Sequence, residues 1–338
     1  MNDGTTLGSS PTLGEDDGSN VSPPRFSLGR ALSFRNIGAI YVWVAIIAFF
    51  WVLEPDTFPT VATLRSVLNN EAVTGLVAIS LVIPLAAGVF DLSVGYTAGF
   101  AGVLAGWFMA NSGMSPWLVI VLTLALMLVI GAVNGFVVVV LRVNSLIGTL
   151  GTGALIFAAT KWVSDEKIIT ERVRELSERI ARGQIWGITT PVFIMVGVML
   201  VVAYVLEQTT TGRRWYAIGF DADAARLVGI RARMLQIVAF LISAVISGLA
   251  GIVITARVNS ASHEAGASYL LPAFAAAFLG ATQFRRGRFN VWGAVVAVML
   301  LGTGRVGLSL AGAPTWAYDV FLGVVLIGAM AITRAEQQ

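Results

Sequence analysis

Long apolar runs recur along this sequence and leave few folds open to it. A helix needs about 20 consecutive apolar residues to cross the roughly 30 Å hydrocarbon core of a bilayer. Runs that approach this length lie between polar breaks at Ile37–Leu53, Val67–Gly88, Val94–Ala110, Pro116–Leu141, Leu146–Val163, Ile188–Leu206, Leu235–Ala256, Tyr269–Ala281, Phe289–Leu308 and Trp316–Ile332. Charged residues make up only 12% of the chain, against about 25% in soluble domains. The sequence therefore predicts an all-α membrane protein, a polytopic helical bundle of about ten transmembrane segments.

Proline interrupts several of these runs, notably two. Pro84 lies inside Val67–Gly88, and Pro272 lies inside Tyr269–Ala281, the shortest run. Proline removes a backbone donor and interrupts a helix, and irregular backbone at membrane depth is tolerated only where protein or a water-filled cavity surrounds it. Some spans are therefore predicted to be short or discontinuous, as in transporters whose broken helices surround a solute site.

The first 36 residues differ from the rest of the chain. They are rich in Gly, Ser, Asp and Pro, which predicts a disordered tail, and the transmembrane domain is predicted over residues 37–334. Arginines at the end of the tail place it in the cytoplasm, because basic residues accumulate on that side. Threading ten spans from there brings the C-terminus and these residues to the same face: Arg142, Arg213, Arg214, Arg226, Arg231, Arg233, Arg285, Arg286, Arg288 and Arg334.

The segment 164–187 is an exception, because it carries basic residues on the predicted outer face. It carries acidic residues as well, with Glu175/Arg179 and Glu178/Arg182 at i,i+4 spacing. Its apolar residues share one helical face: Ile169, Val173, Leu176 and Ile180. We predict an amphipathic helix on the outer surface or over the bundle, which serves either as surface cover or as a docking site for an outside partner.

The longest polar interruption, residues 207–234, forms an elbow between two apolar runs. Inside it, residues 220–227 are predicted to form a short helix, because acidic residues begin it and Arg226 near its end suits the helix dipole. Gly229 is expected to end the helix. The elbow is either a surface turn or a helix that contacts a partner beneath the membrane.

Asp91 is the ionisable residue that stands out between two apolar runs. A carboxylate facing lipid costs several kcal/mol, so this side chain is expected to face protein, a cavity or the interface. Two readings remain open. Asp91 caps a helix that starts at Leu92 near the cytoplasmic surface, or it lies partway across the membrane beside a broken helix and a polar cavity.

Neutral polar residues are dispersed through the apolar runs. A path lined by neutral donors and acceptors suits an uncharged, hydroxyl-rich solute, because ion paths usually carry charged rings. The candidate residues for a translocation pathway or structural turn are Asp91, Ser93, Gly95, Asn134, Thr149 and Thr152.

Several classes of function are disfavoured. The chain has no cysteine and one histidine, His263, so no metal or other cofactor is expected. Basic residues cluster beside apolar runs as topology signals and form no continuous nucleic-acid surface. Neither Lys161 nor Lys167 follows the glycines of a nucleotide-binding P-loop. The chain is therefore not expected to be an enzyme, and another chain would supply any ATP hydrolysis.

Three motifs carry a resemblance to a known family. They are Gly88-Val89-Phe90-Asp91-Leu92-Ser93-Val94-Gly95, then Asn134-Gly135 with Ile147-Gly148-Thr149-Leu150-Gly151-Thr152, and finally Gly212-Arg213-Arg214-Trp215-Tyr216-Ala217-Ile218-Gly219 running into Ala224-Ala225-Arg226-Leu227-Val228-Gly229-Ile230. From about Val67 onward the chain resembles the permease subunits of bacterial ABC importers for ribose, xylose, arabinose, galactosides and related compounds.

The resemblance implies a multi-pass subunit of the bacterial inner membrane that imports a sugar such as ribose. Its implied partners are cytoplasmic ATPase subunits, an extracytoplasmic sugar-binding protein and a second permease copy, identical or related. It also implies that the elbow docks on the ATPase, with these candidate residues: Gly219, Asp221, Asp223, Ala224, Ala225, Arg226, Leu227 and Gly229. On this interpretation, Ala225→Arg or a charge reversal at Arg226 would uncouple transport.

Two alternatives stay open at this point. An ion-coupled secondary transporter would use Asp91 as a proton or sodium site, although proton relays usually chain several ionisable groups. A membrane scaffold or sensor would transport nothing.

Overall fold

The computed structural model describes residues 34–284 and 287–335. Most of the predicted disordered tail, and the two predicted cytoplasmic residues Arg285 and Arg286, therefore lie outside the described residues. The first helix begins at Phe34, so the last three residues of the predicted tail are helical.

Thirteen α-helices occupy the described ranges. They are α1 (Phe34–Leu53), α2 (Val61–Ala86), α3 (Val94–Asn111), α4 (Pro116–Gly135), α5 (Ser145–Ser164), α6 (Val173–Ile180), α7 (Thr190–Gln208), α8 (Thr210–Phe220), α9 (Ala222–Leu227), α10 (Ala232–Val258), α11 (Leu270–Ala281), α12 (Val291–Leu310) and α13 (Thr315–Ala335). A π-helical turn, Phe136–Val140, extends α4, and a 3₁₀ turn, Ala267–Tyr269, precedes α11. The short strands β1 (Gln184–Ile185) and β2 (Ile188–Thr189) pair antiparallel.

The structure confirms a helical membrane protein. Within the described ranges, six helices are long and apolar enough to cross a membrane: Val61–Ala86, Pro116–Val140, Ser145–Ser164, Thr190–Gln208, Ala232–Val258 and Val291–Leu310. Three shorter apolar helices cover Ala39–Leu53, Ala267–Ala281 and Thr315–Gly328. Each of the ten predicted runs contains a helix, but the count of ten membrane spans stays a prediction.

Helices α2 and α10 form the centre of the bundle. Helix α10 packs against α2, α3 and α4, while α2 also contacts α7, α11 and α12. Both helices are largely buried inside the bundle, whereas α4 and α5 leave most of their apolar surface exposed. Exposed apolar surface on long helices is what a lipid environment favours.

The two prolines have different local effects. Helix α2 continues through Pro84 and ends two residues later, so the proline lies in its last turn. Pro272 lies in the first turn of α11, where its missing N–H removes no helical hydrogen bond. Helix α11 is short, as predicted. The 3₁₀ turn runs directly into its first residue, Leu270.

Candidate functional site

The elbow folds as two consecutive helices, α8 and α9. Asp221 is the N-cap of α9, and its Oδ1 accepts hydrogen bonds from the N–H groups of Asp223 at 2.9 Å and Ala224 at 3.0 Å. Arg226 Nη1 lies 2.8 Å from Asp223 Oδ1. Gly229 follows the end of the helix with a φ of +83°, a left-handed conformation that glycine adopts at little cost. The predicted short helix and its stop are therefore present.

Helix α8 fixes the elbow to the bundle. Its Trp215 is buried and donates from Nε1 to the Leu235 carbonyl at 2.8 Å, and Tyr216 Oη donates to the Phe289 carbonyl at 2.9 Å. A Cβ at Gly219 would overlap the carbonyl of Ala86 at the end of α2. Gly219 thus lets the backbones of α8 and α2 meet. It is a packing residue with no side chain to offer a partner.

The elbow exposes three large apolar side chains among its exposed charged residues. Phe220 is 94% exposed, Leu227 is 90% exposed and Val228 is 76% exposed. Phe220 and Val228 also line a cleft of about 650 Å³ between α8 and α9. Three exposed apolar side chains on a polar segment outside the apolar runs form the kind of surface that marks a partner contact.

Ala225 was expected to face a partner, but it lies on the buried side of α9. It is only 4% exposed and packs with Ile218 and Ala232 in a small cluster beneath the elbow. Ala225→Arg would therefore disturb the packing of the elbow itself, and it is not a clean test of contact with a partner. Phe220 was predicted only as the start of the helix and not as a contact residue. Because its side chain is exposed, it is better placed to contact a partner.

A buried hydrogen-bond network surrounds Asp91. The N–H and hydroxyl of Ser93 donate to Asp91 Oδ1 at 3.1 and 2.6 Å, and Ser243 Oγ on α10 donates to Oδ2 at 3.0 Å. Asn134 Nδ2 on α4 donates to Ser93 Oγ at 2.7 Å. Thr152 Oγ1 on α5 then donates to Asn134 Oδ1. The network thus joins the α3 N-terminus to three other helices.

Two further candidates lie beside this network. Thr149 Oγ1 accepts from the Leu92 N–H at 3.0 Å, which holds the Asp91 loop against α5. Gly95 packs against Gly266 and Leu270 on the other side of α3 and takes no part in the network.

The structure places Asp91 in a buried turn just before α3. Helix α3 begins at Val94, two residues later than expected, and its N-cap is Ser93. Asp91 is 1% exposed and lies among α3, α4, α5 and α10. It is therefore a turn residue inside the bundle. Its carboxylate accepts from the N–H of Ser93, the N-cap of α3, so Asp91 holds the turn before the helix, and its depth in the membrane stays a prediction.

The bundle also contains a second polar cluster, which we did not predict from the sequence. Glu71 on α2 is 0% exposed, and its Oε1 lies 3.5 Å from Arg305 Nη1 on α12. Neither carboxylate oxygen has a hydrogen-bond partner among the described residues. The guanidinium of Arg305 lies over the Tyr318 ring, 4.2 Å from its centroid, and the Tyr318 hydroxyl is likewise buried without a partner in the described ranges.

Arg257 adds a second cation at the end of α10. Its Nη1 donates to the Asn70 carbonyl at 3.1 Å and its Nη2 donates to Asn70 Oδ1 at 2.6 Å. The sequence does contain a signal for this cluster. Glu71 and Arg305 are ionisable residues inside apolar runs, and such residues are functional candidates by default.

The segment 164–187 forms helix α6 and strand β1, which pairs with β2 just beyond the segment. Val173, Leu176 and Ile180 are buried, so the predicted apolar face packs on the bundle, chiefly against α10. Glu178 pairs with Arg182 as predicted, at 3.5 Å, but Glu175 pairs with Arg172 at 2.9 Å. This hydrogen bond lowers the pKa of the Glu175 carboxyl.

The model of a known family matches this chain over residues 63–330. The family is described as "Branched-chain amino acid transport system / permease component". The chain belongs to this permease family. The match covers both the Asp91 network and the elbow.

The permease is also similar to named relatives over most of its length. It is 31% identical to the ribose import permease protein RbsC of Haemophilus influenzae over 281 residues, 82% of this chain and 85% of the relative. It is 29% identical to the D-allose transport system permease protein AlsC of Escherichia coli over 305 residues, 90% of this chain and 93% of the relative. The L-arabinose transport system permease protein AraH of Escherichia coli is 28% identical over 321 residues, 95% of this chain and 96% of the relative.

These matches confirm the resemblance to permeases of sugar importers that the motifs suggested. They assign the permease to transport subunits of the inner membrane and not to enzymes. No solved structure matches the chain.

Proposed function

We propose that this permease is the membrane subunit of an ATP-driven ABC importer that carries a monosaccharide into the cell. The observation that carries the proposal is its similarity to ribose, allose and arabinose permeases over 82% to 95% of the chain. Pentoses predominate among these names, so ribose is the first substrate to test.

The surface that carries the exposed apolar side chains of the elbow is our proposed contact for a separate ATPase chain. Phe220, Leu227 and Val228 project from short helices that are fixed to the ends of α2 and α10. A push on this face would thus be passed directly to the two central helices of the bundle. Closure of two ATPase subunits on ATP would in this way switch the pathway between outward and inward access.

The remaining parts of the assembly follow from the same proposal. The chain crosses the membrane ten times with both termini in the cytoplasm, and a second permease copy, identical or related, completes the pathway. An extracytoplasmic binding protein delivers the sugar to the outer mouth. Three segments keep the sides of the membrane that the sequence predicts. The tail over residues 1–36 and the coupling loop over residues 207–234 are cytoplasmic, and the segment 164–187 is on the outer face.

The buried hydroxyl and amide groups of Ser93, Asn134 and Thr152 are our candidates for the inner part of the pathway. They already exchange hydrogen bonds with one another, and a sugar hydroxyl can replace any one of those partners as donor or acceptor. A neutral path of this kind suits an uncharged solute. Asp91 holds the network in place through its two oxygens.

Purification of the tagged permease from native membranes tests this assignment. Recovery of an ATPase and a secreted binding protein supports the importer, and the ligand of the binding protein then names the sugar. Recovery of the permease alone, with uptake that collapses when the ion gradient is removed while ATP is intact, would favour the secondary transporter.

A further inference from the structure

A basic cavity lies at the edge of the bundle, between the loop that carries Asp91 and the elbow helix α9. Its volume is about 400 Å³. The lining includes three arginines and two neutral polar side chains, over an apolar floor made by valines: Arg142, Arg226, Arg233, Ser145, Gln236, Val89, Val138 and Val139. We refer to it as the arginine pocket.

The pocket lies at the level where three membrane helices end. Its walls come from the π turn at the end of α4, the start of α5 and the start of α10. Apolar side chains beside it are exposed on the bundle surface, namely Phe136, Val140, Leu141 and Ile147. This combination of a polar cavity and a neighbouring exposed apolar belt is typical of the boundary between headgroups and acyl chains.

The charges of the pocket are unbalanced. Arg226 has one counter-ion, the exposed carboxylate of Asp223. The side chains of Arg142 and Arg233 have neither a hydrogen bond nor an ion pair to any other residue in the part of the chain that the structure describes. Among the residues that the structure describes, no acidic side chain lines the pocket. A guanidinium offers paired N–H donors that match phosphate oxygens, so three of them around one cavity favour a phosphate group.

We propose that the arginine pocket binds the phosphate headgroup of an anionic phospholipid, with the acyl chains lying along the exposed apolar surface of α4 and α5. Basic pockets between membrane helices are known to hold such headgroups. The valine floor fits the glycerol and first methylene groups, while Ser145 and Gln236 can donate to headgroup oxygens. The π-helical turn in the wall of the pocket also favours a functional role. Such turns are rare in proteins, and those that occur often lie at functional sites.

A bound lipid would tie three parts of the permease together. Arg226 belongs to the elbow helix α9, Arg142 to the α4–α5 loop and Arg233 to the start of α10. Ser145 also accepts a hydrogen bond from the Phe90 N–H at 3.2 Å, which links the pocket to the loop that carries Asp91. The lipid would therefore stabilise one position of the elbow relative to the network.

The test uses the full-length permease in nanodiscs that contain phosphatidylglycerol and phosphatidylcholine in equal amounts. Native mass spectrometry after extraction counts the lipids that each variant retains. The variants are R142Q, R233Q and the double variant R142Q/R233Q. The matched control is R231Q, since Arg231 belongs to the same segment but lies outside the pocket.

We expect the wild type and R231Q to retain phosphatidylglycerol in preference to phosphatidylcholine. Each pocket arginine removed should weaken this retention roughly fivefold and the pair roughly thirtyfold, which corresponds to about 1 kcal/mol for each basic residue near an anionic surface. Thermal unfolding of the variants in detergent checks that they remain folded.

Three results would overturn the proposal. Equal retention by the wild type and R142Q/R233Q removes the pocket as the lipid site. Arginine-dependent binding of inorganic phosphate that displaces no lipid assigns the site to a free anion. Loss of the co-purified ATPase from R142Q/R233Q, with lipid retention unchanged, assigns the arginines to a protein contact.

Discussion

Two buried carboxylates, Asp91 and Glu71, have opposite surroundings. Asp91 accepts three hydrogen bonds, from groups of Ser93 and Ser243. Glu71 has Arg305 at 3.5 Å and Arg257 farther away, and neither of its carboxylate oxygens has a hydrogen-bond partner among the described residues. Burial penalises both charges, but hydrogen bonds offset the penalty only for Asp91. Substitutions at the two positions should therefore have different results.

We predict that Asp91→Asn keeps most of the ATP-driven uptake. The amide oxygen can still accept from Ser93, and the Ser243 hydroxyl can turn to accept from the new NH₂ group, so the expected loss of stability is about 1 kcal/mol. Asp91→Ala should cost more, because it strands the Ser93 N–H and both hydroxyls. Thermal unfolding and uptake of both variants are the measurements. Uptake abolished in Asp91→Asn, with normal stability, would contradict this and restore the ion-coupled alternative.

For the ion pair we predict that Arg305→Gln destabilises the permease more than the double variant with Glu71→Gln. Removing the cation alone leaves a buried carboxylate without compensation, which costs on the order of 3–5 kcal/mol at fully buried sites, and partial exposure of Arg305 places the loss at the lower end. Removing both charges avoids that penalty. Thermal unfolding in detergent measures the difference, and equal melting temperatures for the single and double variants would count against the pair.

The elements of the elbow illustrate what local sequence can predict. The later part of the helix and its stop followed from Arg226 and Gly229, because dipole and glycine preferences are local, but the helix starts at Ala222 and Phe220 ends α8 instead. The burial of Ala225, in contrast, could not be predicted from the local sequence. Helix α9 has only six residues, fewer than two turns, so no periodicity distinguishes its buried face from its exposed face. Only its packing against Ile218 and Ala232 decides this.

Leu227→Glu should prevent recovery of the ATPase while leaving the permease folded. Leu227 is exposed and has no packing role in the elbow, whereas a carboxylate in an apolar interface core is strongly disfavoured. We expect at least a tenfold loss of co-purified ATPase, equivalent to about 1.4 kcal/mol. The matched control is Ile168→Glu, an exposed apolar residue in the outer segment. The same ATPase recovery for Leu227→Glu and Ile168→Glu would refute the proposed contact.

Helix α6 should depend on its buried face for its position. Leu176 is buried against a cluster that includes Met109 and Ile252, so Leu176→Ala is expected to cost about 2–5 kcal/mol. Glu171→Ala, at an exposed position, should change stability by less than about 0.5 kcal/mol. Thermal unfolding compares the two. A Leu176→Ala variant as stable as Glu171→Ala would mean that α6 contributes little to the folded bundle.

The architecture of the whole molecule was predictable in part. The ten helices lie where the apolar runs are, because the thickness of a bilayer fixes the length of such runs. The arrangement of the helices was not predictable, since similar apolar surfaces give no order of packing. Contacts such as Glu71–Arg305 and Asp91–Ser243 join residues far apart in the sequence. Their partners therefore became visible only in the folded bundle.

The proposed importer has a direct test in proteoliposomes. The permease is reconstituted with the ATPase and binding protein that co-purify with it, and uptake of labelled ribose, allose and arabinose is measured. The proposed importer should take up at least one sugar in a reaction that requires ATP and the binding protein and persists when ion gradients are dissipated. ATP hydrolysis without uptake of any sugar, or uptake that depends on an ion gradient and not on ATP, would contradict it.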